Sequence, residues 1–288
     1  MTDVVTRYRL DIAYQGTDFN GWGRQPGLRT VQGVLEDALA TIFRRAGDPP
    51  TLTVAGRTDA GVHALGQVAH VDLTVPQVAL LRRPHGKRPP LPVHEALARR
   101  LNGVLGPVAD VIVREASEAL PGFDARFSAV WRRYEYRVAD RHAFRDPLQR
   151  HRIAWVSSEL DHTRMDMAAH GLLGLHDFAS YCKAREGATT IRTLQAFSWR
   201  READGVLAGE VVADAFCHSM VRALVGGCVE VGEGKLEPGD LIALRDDQRR
   251  TNAFKVMPAR GLTLLEVGYP EAAELSLRAE QTRALRSL

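Results

Sequence analysis

The chain has 288 residues, of which 45% are hydrophobic and 25% are charged, and its formal net charge is +3. This composition is typical of a soluble globular protein with two domains or one elaborate domain, and so small a net charge does not by itself indicate a nucleic-acid partner. No apolar run approaches the roughly 20 residues of a membrane-spanning helix, and the first residues lack the apolar core of a signal peptide. We therefore expect a cytoplasmic protein without a membrane partner.

The cysteines and histidines point away from a metal or a disulfide framework. Cys182, Cys217 and Cys228 are widely spaced and form no C-x-x-C pair, and the ten histidines are scattered along the chain. Such spacing suits neither a zinc site nor a set of disulfides. We expect no bound metal and no disulfide framework.

The first strand is predicted over residues 8–14, where apolar and polar residues alternate. The loop over residues 15–27 is rich in glycine and aromatic residues, and loops of this length are often functional. Its Phe19 and Trp22 can stack on nucleic-acid bases, or they can tuck beneath the loop as a small core. The sequence leaves both arrangements open.

A helix is predicted from Val31 to about Arg45, with Thr30 as its N-terminal cap. Short strands are predicted after it at residues 51–54 and 67–73, because each has apolar residues placed to face a core.

The segment that joins these two strands holds Arg57 and Asp59 among glycines and other small residues. Glycine allows a tight loop that approaches a ligand closely. A carboxylate and a guanidinium on such a loop can face a cleft, or they can belong to an ordinary turn with a solvated arginine. Local chemistry alone does not choose between them.

A basic, proline-rich segment at residues 82–90 is predicted to lack regular structure, and it is either a solvated insertion or a phosphate contact. A helix at residues 93–101 and a strand at residues 108–115 follow it. Leu120-Pro121-Gly122 is the best linker candidate. It predicts an N-terminal α+β domain over residues 1–120 and a C-terminal one over residues 121–288.

The stretch after the linker alternates as a strand, with Arg132, Tyr134 and Tyr136 on one face and charged residues on the other. Arginines interleaved with aromatic rings favour a sheet that faces RNA, where rings stack on bases and guanidinium groups bind phosphate. The alternative is an edge strand whose charged outer face blocks aggregation.

The later predicted elements are a helix at residues 161–173, an antiparallel pair at residues 190–201 and 206–213, a helix at residues 238–245, a strand at residues 261–267 and a loose helical tail after Pro270. Between them an apolar helix opens near Ala215, and it contains Arg222. A cation in such a helix needs a buried partner, or it must extend its charged end to solvent.

Six segments resemble, in order, those of the tRNA pseudouridine synthase A family, and together they span about residues 8–270. They are Gly21-Trp22-x-Arg24-Gln25, Thr30-Val31-Gln32 with Leu35-Glu36, Gly56-Arg57-Thr58-Asp59-Ala60-Gly61-Val62-His63-Ala64 with Gly66-Gln67-Val68, Arg126-Phe127-Ser128-Ala129 with Arg133-Tyr134-x-Tyr136, Met220-Val221-Arg222, and Gly261-Leu262-x-Leu264. The chain departs from the family pattern at Gln15, at Gly23 and at Cys217-His218-Ser219.

The resemblance implies an isomerase that converts uridine to pseudouridine in the tRNA anticodon stem-loop, at positions 38, 39 and/or 40, without a cofactor. The implied fold is α+β, with two RNA-recognition-like domains that share one mixed, mainly antiparallel sheet, helices on one face and a central cleft. The implied assembly is a homodimer in which one tRNA contacts both subunits.

The resemblance also implies roles for individual residues. Asp59 is the nucleophile, and Arg222 is the cation paired with it. Tyr134 stacks on the target base and is a candidate to remove its proton. Arg57 fills the space that the flipped nucleotide leaves, and Leu264 forms an apolar wall.

Three further residues are implied as substrate contacts, namely Arg126, Arg24 and Gln25. Whether the carboxylate attacks C6 of the base, attacks C1′ of the sugar or removes a sugar proton stays open. Two rival functions also stay open: a catalytically inactive tRNA-binding or chaperone protein of the same fold, and an enzyme acting on a small phosphorylated substrate.

Overall fold

The computed structural model describes residues 5–83, 89–183, 189–249 and 251–284. Over these ranges the chain forms ten strands and seven α-helices, which confirms the predicted α+β class. None of the helices in these ranges is long and apolar enough to cross a membrane.

The chain divides into two compact units. The first comprises the described parts of Met1–Val130 and Val267–Leu288, and the second is Trp131–Glu266. This division reflects compactness, whereas the division predicted at residue 120 concerns folding domains and stays a prediction.

The first unit is built on antiparallel strands. Strand β1 (Val5–Tyr14) lies between β3 (His63–Thr74) and β4 (Val111–Glu118), and β2 (Leu52–Val54) pairs with the far side of β3. Alternate side chains of β1 are buried, as period-two patterning requires. These buried residues are Tyr8, Leu10, Ile12 and Tyr14.

Three helices pack in the N-terminal part of this unit: α1 (Val31–Phe43), α2 (Val75–Arg82) and α3 (Val93–Leu105). The predicted cap of α1 is confirmed, because the Thr30 hydroxyl accepts a hydrogen bond from the Gly33 amide at 3.2 Å. Helix α2 was not predicted.

The C-terminal helix also belongs to the first unit. Helix α7 (Leu275–Ala284) buries Leu275 and Ala279, and Arg283 donates to a carboxylate oxygen of Asp124 at 2.9 Å. The predicted helical tail is confirmed as a helix. Its predicted looseness is wrong, because an apolar face and an ion pair attach it.

The second unit has a mainly antiparallel set of strands. Strand β5 (Trp131–Ala139) pairs with β9 (Leu207–Ala213), β9 pairs with β8 (Ile191–Arg201), and β8 pairs with β7 (Gly174–Asp177). Two further strands flank β5: β6 (Ala154–Trp155), which is parallel to it, and β10 (Leu262–Gly268), most of which belongs to this unit. The predicted β8–β9 hairpin is confirmed. The edge-strand interpretation of β5 is wrong, because β5 has neighbours on both sides.

Three helices belong to the second unit: α4 (His162–His170), α5 (Met220–Gly232) and α6 (Pro238–Asp247). Helix α5 is buried on nearly all sides, and its glycines allow close packing. A Cβ on Gly226 would lie 2.0 Å from the backbone oxygen of Lys255. The apolar character of α5 therefore reflects burial within this unit.

A disulfide joins Cys182 and Cys217, which are separated by 35 residues, and their Cα atoms lie 5.8 Å apart. The sequence predicted no disulfide framework, and the structure has this single disulfide between two of the three cysteines. The spacing of the cysteines in the sequence does not indicate this pairing. It arises because the fold brings the turn Ala179–Tyr181 beside the segment before α5.

Candidate active site

The loop that carries Asp59 connects β2 to β3 in the first unit and closes with a tight turn. The Val62 amide donates to the Asp59 carbonyl at 3.2 Å, and Gly61, third in the turn, has φ +78°. A type II turn requires a positive φ at this position, which glycine adopts without strain. The turn leaves the Asp59 side chain half-buried, and Arg57 is exposed.

Backbone hydrogen bonds between the loop over residues 15–27, here called the glycine-rich loop, and the Asp59 loop hold the latter from one side. The Trp22 amide donates to the Thr58 carbonyl at 3.1 Å, and the Gly61 amide donates to the Phe19 carbonyl at 3.2 Å. Phe19 and Trp22 are themselves buried, at 3% and 0% exposure. Of the two arrangements left open for these rings, the structure has the one in which they form a small core beneath the loop.

Buried polar side chains hold the same loop from within the unit. The Thr58 and Tyr14 hydroxyl groups share a hydrogen bond of 2.7 Å, and the Gln67 amide donates to the Gly56 carbonyl at 3.0 Å and to the Tyr14 hydroxyl at 3.3 Å. Burial raises the pKa of Tyr14 to about 12, so the phenol stays neutral near pH 7. The residue before Asp59 is thus fixed by a neutral network.

Two glycines let the glycine-rich loop approach closely. A Cβ on Gly21, whose φ is +85°, would lie 2.9 Å from the Thr58 carbonyl oxygen. A Cβ on Gly23 would lie 3.4 Å from Nε of Arg57, so the arginine side chain runs along this glycine. Gly23 is one of the departures from the family pattern, and here it provides room for Arg57.

In the second unit, Tyr134 lies on β5 opposite Val211 of β9 and is half-buried. The ring of Phe216 meets it edge-on, with centroids 5.2 Å apart and an interplanar angle of 88°. Two residues further on, Tyr136 is fully buried, and its hydroxyl donates to the Pro258 carbonyl at 2.9 Å. The same burial raises the pKa of Tyr136, and the buried, hydrogen-bonded side chain packs within the unit.

The opposite face of β5 carries ion pairs. Arg133 pairs with Glu266 at 2.7 Å and with Glu210 at 3.3 Å, and Arg137 lies 3.5 Å from Asp204. These guanidinium groups form ion pairs within the unit. The aromatic contact of Tyr134 with Phe216 lies on the other face of β5.

Arg222 lies in the first turn of α5 and is half-buried. Its Nε donates to the Met257 carbonyl at 2.6 Å, and the Met257 amide donates back to the Arg222 carbonyl at 3.1 Å. The backbone of Met257 therefore holds the Arg222 side chain in one orientation. Leu264 is buried on β10 in the same unit, at 1% exposure.

The other predicted substrate contacts all belong to the first unit. Arg24 pairs with Glu36 at 3.1 Å and with Asp37 at 2.7 Å. Gln25 donates to the Asn20 carbonyl at 3.0 Å, and Arg126 is exposed with its guanidinium 5.3 Å from the Phe127 ring. In the basic segment at residues 82–90, residues 84–88 lie outside the described part of the chain.

Sequence reasoning missed two kinds of residue around the candidate site. Tyr14, Thr58 and Gln67 support the Asp59 loop. For Tyr14 and Gln67 the signal was a polar side chain at an inward position of a strand pattern. Phe216 lies against Tyr134, and no local pattern indicates that contact. In the described residues, no group of three or more His, Cys, Asp or Glu side chains is placed to hold a metal ion.

A sequence model of the tRNA pseudouridine synthase class matches residues 168–270. The tRNA pseudouridine synthase A of Leifsonia xyli subsp. xyli is 78% identical over 288 residues, with 100% of both chains covered. The proteins of the same name from Frankia casuarinae and Bifidobacterium longum are 51% and 42% identical, and cover 99% of this chain and 97% and 100% of their own lengths. The chain belongs to the tRNA pseudouridine synthase A family, which isomerises uridine to pseudouridine.

Proposed function

We propose that this enzyme modifies the anticodon stem-loop of tRNA, at uridines 38, 39 and/or 40, and acts as a cytoplasmic homodimer in which one tRNA contacts both subunits. The observation that carries the proposal is the Asp59 loop, in which a half-buried carboxylate follows a residue fixed by buried hydrogen bonds. A reactive group held in one position lowers the entropic part of a reaction barrier.

The reaction breaks the C1′–N1 bond, turns the uracil and joins C5 to C1′. A stacked base cannot rotate in this way, so the nucleotide must first leave the helix. Product and substrate have the same composition and oxidation state, so the chemistry requires no redox cofactor. Asp59 acts as nucleophile at C6 or C1′, or as the base that removes a sugar proton.

A carboxylate that reacts in a dry pocket must stay ionised, which is costly unless a cation lies near it. We assign that cation to Arg222. The contacts of its Nε and of its backbone with Met257 support the assignment, because they fix the direction of the side chain. This pairing explains an arginine in the apolar helix α5.

Tyr134 stacks on the uracil, and its hydroxyl is the candidate group to take the C5 proton. Stacking on an aromatic ring contributes about 1–3 kcal/mol for a base and tolerates either face of it. Arg57 fills the gap that the flipped nucleotide leaves, and its exposed position along Gly23 supports this role. Leu264 supplies the apolar wall.

Arg126, Arg24 and Gln25 contact the RNA around the target nucleotide. Arg126 is exposed, with its guanidinium 5.3 Å from the Phe127 ring. Arg24 is paired with Glu36 and Asp37, so it must exchange these carboxylates for phosphate when RNA binds.

The test incubates the enzyme with unmodified tRNA transcripts, without metal or nucleotide, and maps pseudouridine by position. We expect modification confined to the anticodon stem-loop. Transcripts with cytidine at positions 38, 39 and 40 are the matched controls and should remain unmodified. Modification elsewhere would contradict the proposed target.

Binding to the same transcripts, measured at several salt concentrations, separates the remaining alternatives. An RNA-modifying enzyme should lose affinity steeply as salt rises, because counterions are released on binding. Salt-dependent binding without pseudouridine would identify the inactive tRNA-binding protein. Sedimentation with and without tRNA tests the proposed homodimer.

A further inference from the structure

Phe216 is the aromatic neighbour of Tyr134 in the second unit. The two rings meet edge-on, with centroids 5.2 Å apart and planes at 88°. Edge-to-face pairs of this kind are favourable beyond their buried area and restrict the orientation of both rings. Because Tyr134 is half-buried, a neighbour that limits its tilt helps to determine how it presents its face to a base.

The segment that carries Phe216 joins β9 to α5 and is fixed by contacts at both ends. At one end, Arg132 donates to the Asp214 carbonyl at 2.6 Å. At the other end, the Lys183 amide donates to the His218 carbonyl at 3.0 Å, and Ser219 adopts φ +64°, a conformation that few residues other than glycine adopt. These contacts and the unusual backbone conformation of Ser219 hold the segment, which is not part of a helix or a strand.

The Cys182–Cys217 disulfide adds a covalent attachment immediately after Phe216. The Cα atoms are 5.8 Å apart, inside the range in which a disulfide closes without moving the backbone. Cys182 follows Tyr181, which stacks on Phe254 with centroids 5.2 Å apart and donates to the Leu241 carbonyl at 2.7 Å. The bond thus joins the Phe216 segment to a firmly packed turn.

The bond lies near the surface on its Cys217 side, whereas Cys182 is only 6% exposed. Cys217 is half-buried, and a cavity of about 340 Å³ opens beside Cys182, Lys183 and Ser219. The remaining cysteine, Cys228, is fully buried, and burial raises the pKa of its thiol to about 12. A reagent in solution therefore distinguishes the pair from Cys228.

We propose that Cys182 and Cys217 form a reversible thiol–disulfide site that makes Phe216 a redox-dependent positioning residue for Tyr134. This inference rests on the proposed role of Tyr134 in the isomerisation. With the bond closed, Phe216 is held against Tyr134, and the stacking ring is oriented for the base. With the bond open, the segment keeps its hydrogen bonds but loses its covalent attachment, and the ring has more freedom.

The oxidant is a low-molecular-weight disulfide. The thiolate of the more exposed Cys217 attacks one of its sulfur atoms, which breaks that S–S bond, forms a mixed disulfide and releases one small thiol. The thiolate of Cys182 then attacks the Cys217 sulfur and releases the second small thiol. The two protons of the protein thiols leave with the two released thiols, so one S–S bond is exchanged for another without net loss of electrons. Excess small thiol reverses the exchange.

The test measures pseudouridine formation by the full-length enzyme after treatment with oxidised or reduced glutathione, with the bond state read by alkylation and mass spectrometry. Closing the bond should raise kcat about three- to tenfold, the effect of one aromatic edge contact, with little change in KM. The Cys182→Ser and Cys217→Ser variants should show the lower kcat in both conditions. The Cys228→Ala variant is the matched control and should keep the full redox response.

The Phe216→Leu variant separates positioning from a general structural role. It should show the lower kcat and no response to glutathione, although alkylation shows that the bond still opens and closes. Wild-type enzyme with equal kcat in both bond states would overturn the inference and leave the proposed function intact, as would failure of the bond to close. Wild-type enzyme inactive in both states would overturn the proposed function and this inference with it.

Discussion

The Gly21→Ala variant tests whether the glycine-rich loop positions Asp59. An alanine there meets two costs. At φ +85° an L-residue is strained by about 1–2 kcal/mol, and its Cβ would lie 2.9 Å from the Thr58 carbonyl oxygen. Relieving that contact requires movement of the backbone next to Asp59, at a cost of about 1–3 kcal/mol.

Gly27→Ala is the matched control for this change. Gly27 lies in the same loop at φ +71°, but a Cβ there has nothing within 4 Å. It should therefore carry only the backbone strain of about 1–2 kcal/mol. The difference between the two variants isolates the contact with the Asp59 loop.

Both variants are compared by urea unfolding and by the rate of pseudouridine formation. Gly21→Ala should be the less stable of the two and should lose activity about a hundredfold, because a shift of about 1 Å at a reacting group has effects of this size. Gly27→Ala should keep nearly full activity. Equal activities for the two variants would refute the argument that the glycine-rich loop positions Asp59.

Three further outcomes follow from polar groups that are buried or half-buried. Burial raises the pKa of Tyr14 from 10.0 to about 12. The stability that the neutral phenol contributes is therefore present below pH 10 and is lost as the pH rises towards 12. Urea unfolding at about pH 9 and pH 11 should show that Tyr14→Phe loses less stability than wild type over this range. Asp140→Ala leaves Arg201, which donates to both carboxylate oxygens at 2.8 and 3.2 Å, without this partner, and should destabilise by about 3 kcal/mol in the same assay. Arg222→Ala should lower both the melting temperature and kcat, and an unchanged melting curve would argue against a buried ion pair.

The parts of the fold that the sequence predicted well are those with local signals. Thr30 before an apolar repeat predicted the start of α1, and the alternating runs on either side of an Asp-Gly turn predicted the β8–β9 hairpin. Helix α2 was missed because its eight residues make only about two turns, too few to show a clear helical period. Its start depends on Gln77, whose side chain accepts a hydrogen bond from the Thr74 amide at 2.9 Å.

The features that escaped prediction depend on residues far apart in the chain. The sequence of the loop is the same whether Phe19 and Trp22 face RNA or a core. In the folded chain both rings lie beside Tyr14, with centroids 6.4 and 6.0 Å from it. Cys182 and Cys217 show no motif because their pairing is made by tertiary structure. Local sequence patterns predict strands, helix caps and turns. The burial of a side chain and the pairing of residues far apart in sequence are decided only by the folded chain.

The loop around Asp59 illustrates the same limit at the candidate site. Small residues predicted a tight loop, and the turn closed by Val62 with Gly61 at φ +78° agrees with that. The hydrogen bonds from Gln67 and Tyr14 were not predicted, because the folded chain decides which loop these inward-facing strand residues contact. The role of Asp59 itself came from the resemblance between ordered segments and stays a prediction.

The measurement that tests the central claim most directly is the Asp59→Asn variant assayed on unmodified tRNA, with wild-type enzyme as the reference. The carboxamide keeps the shape of the side chain and removes its charge, so tRNA affinity should stay near that of wild type. Pseudouridine should not form at any position. Pseudouridine formation by this variant at a rate near that of wild type would contradict the assignment of Asp59 as the reacting group.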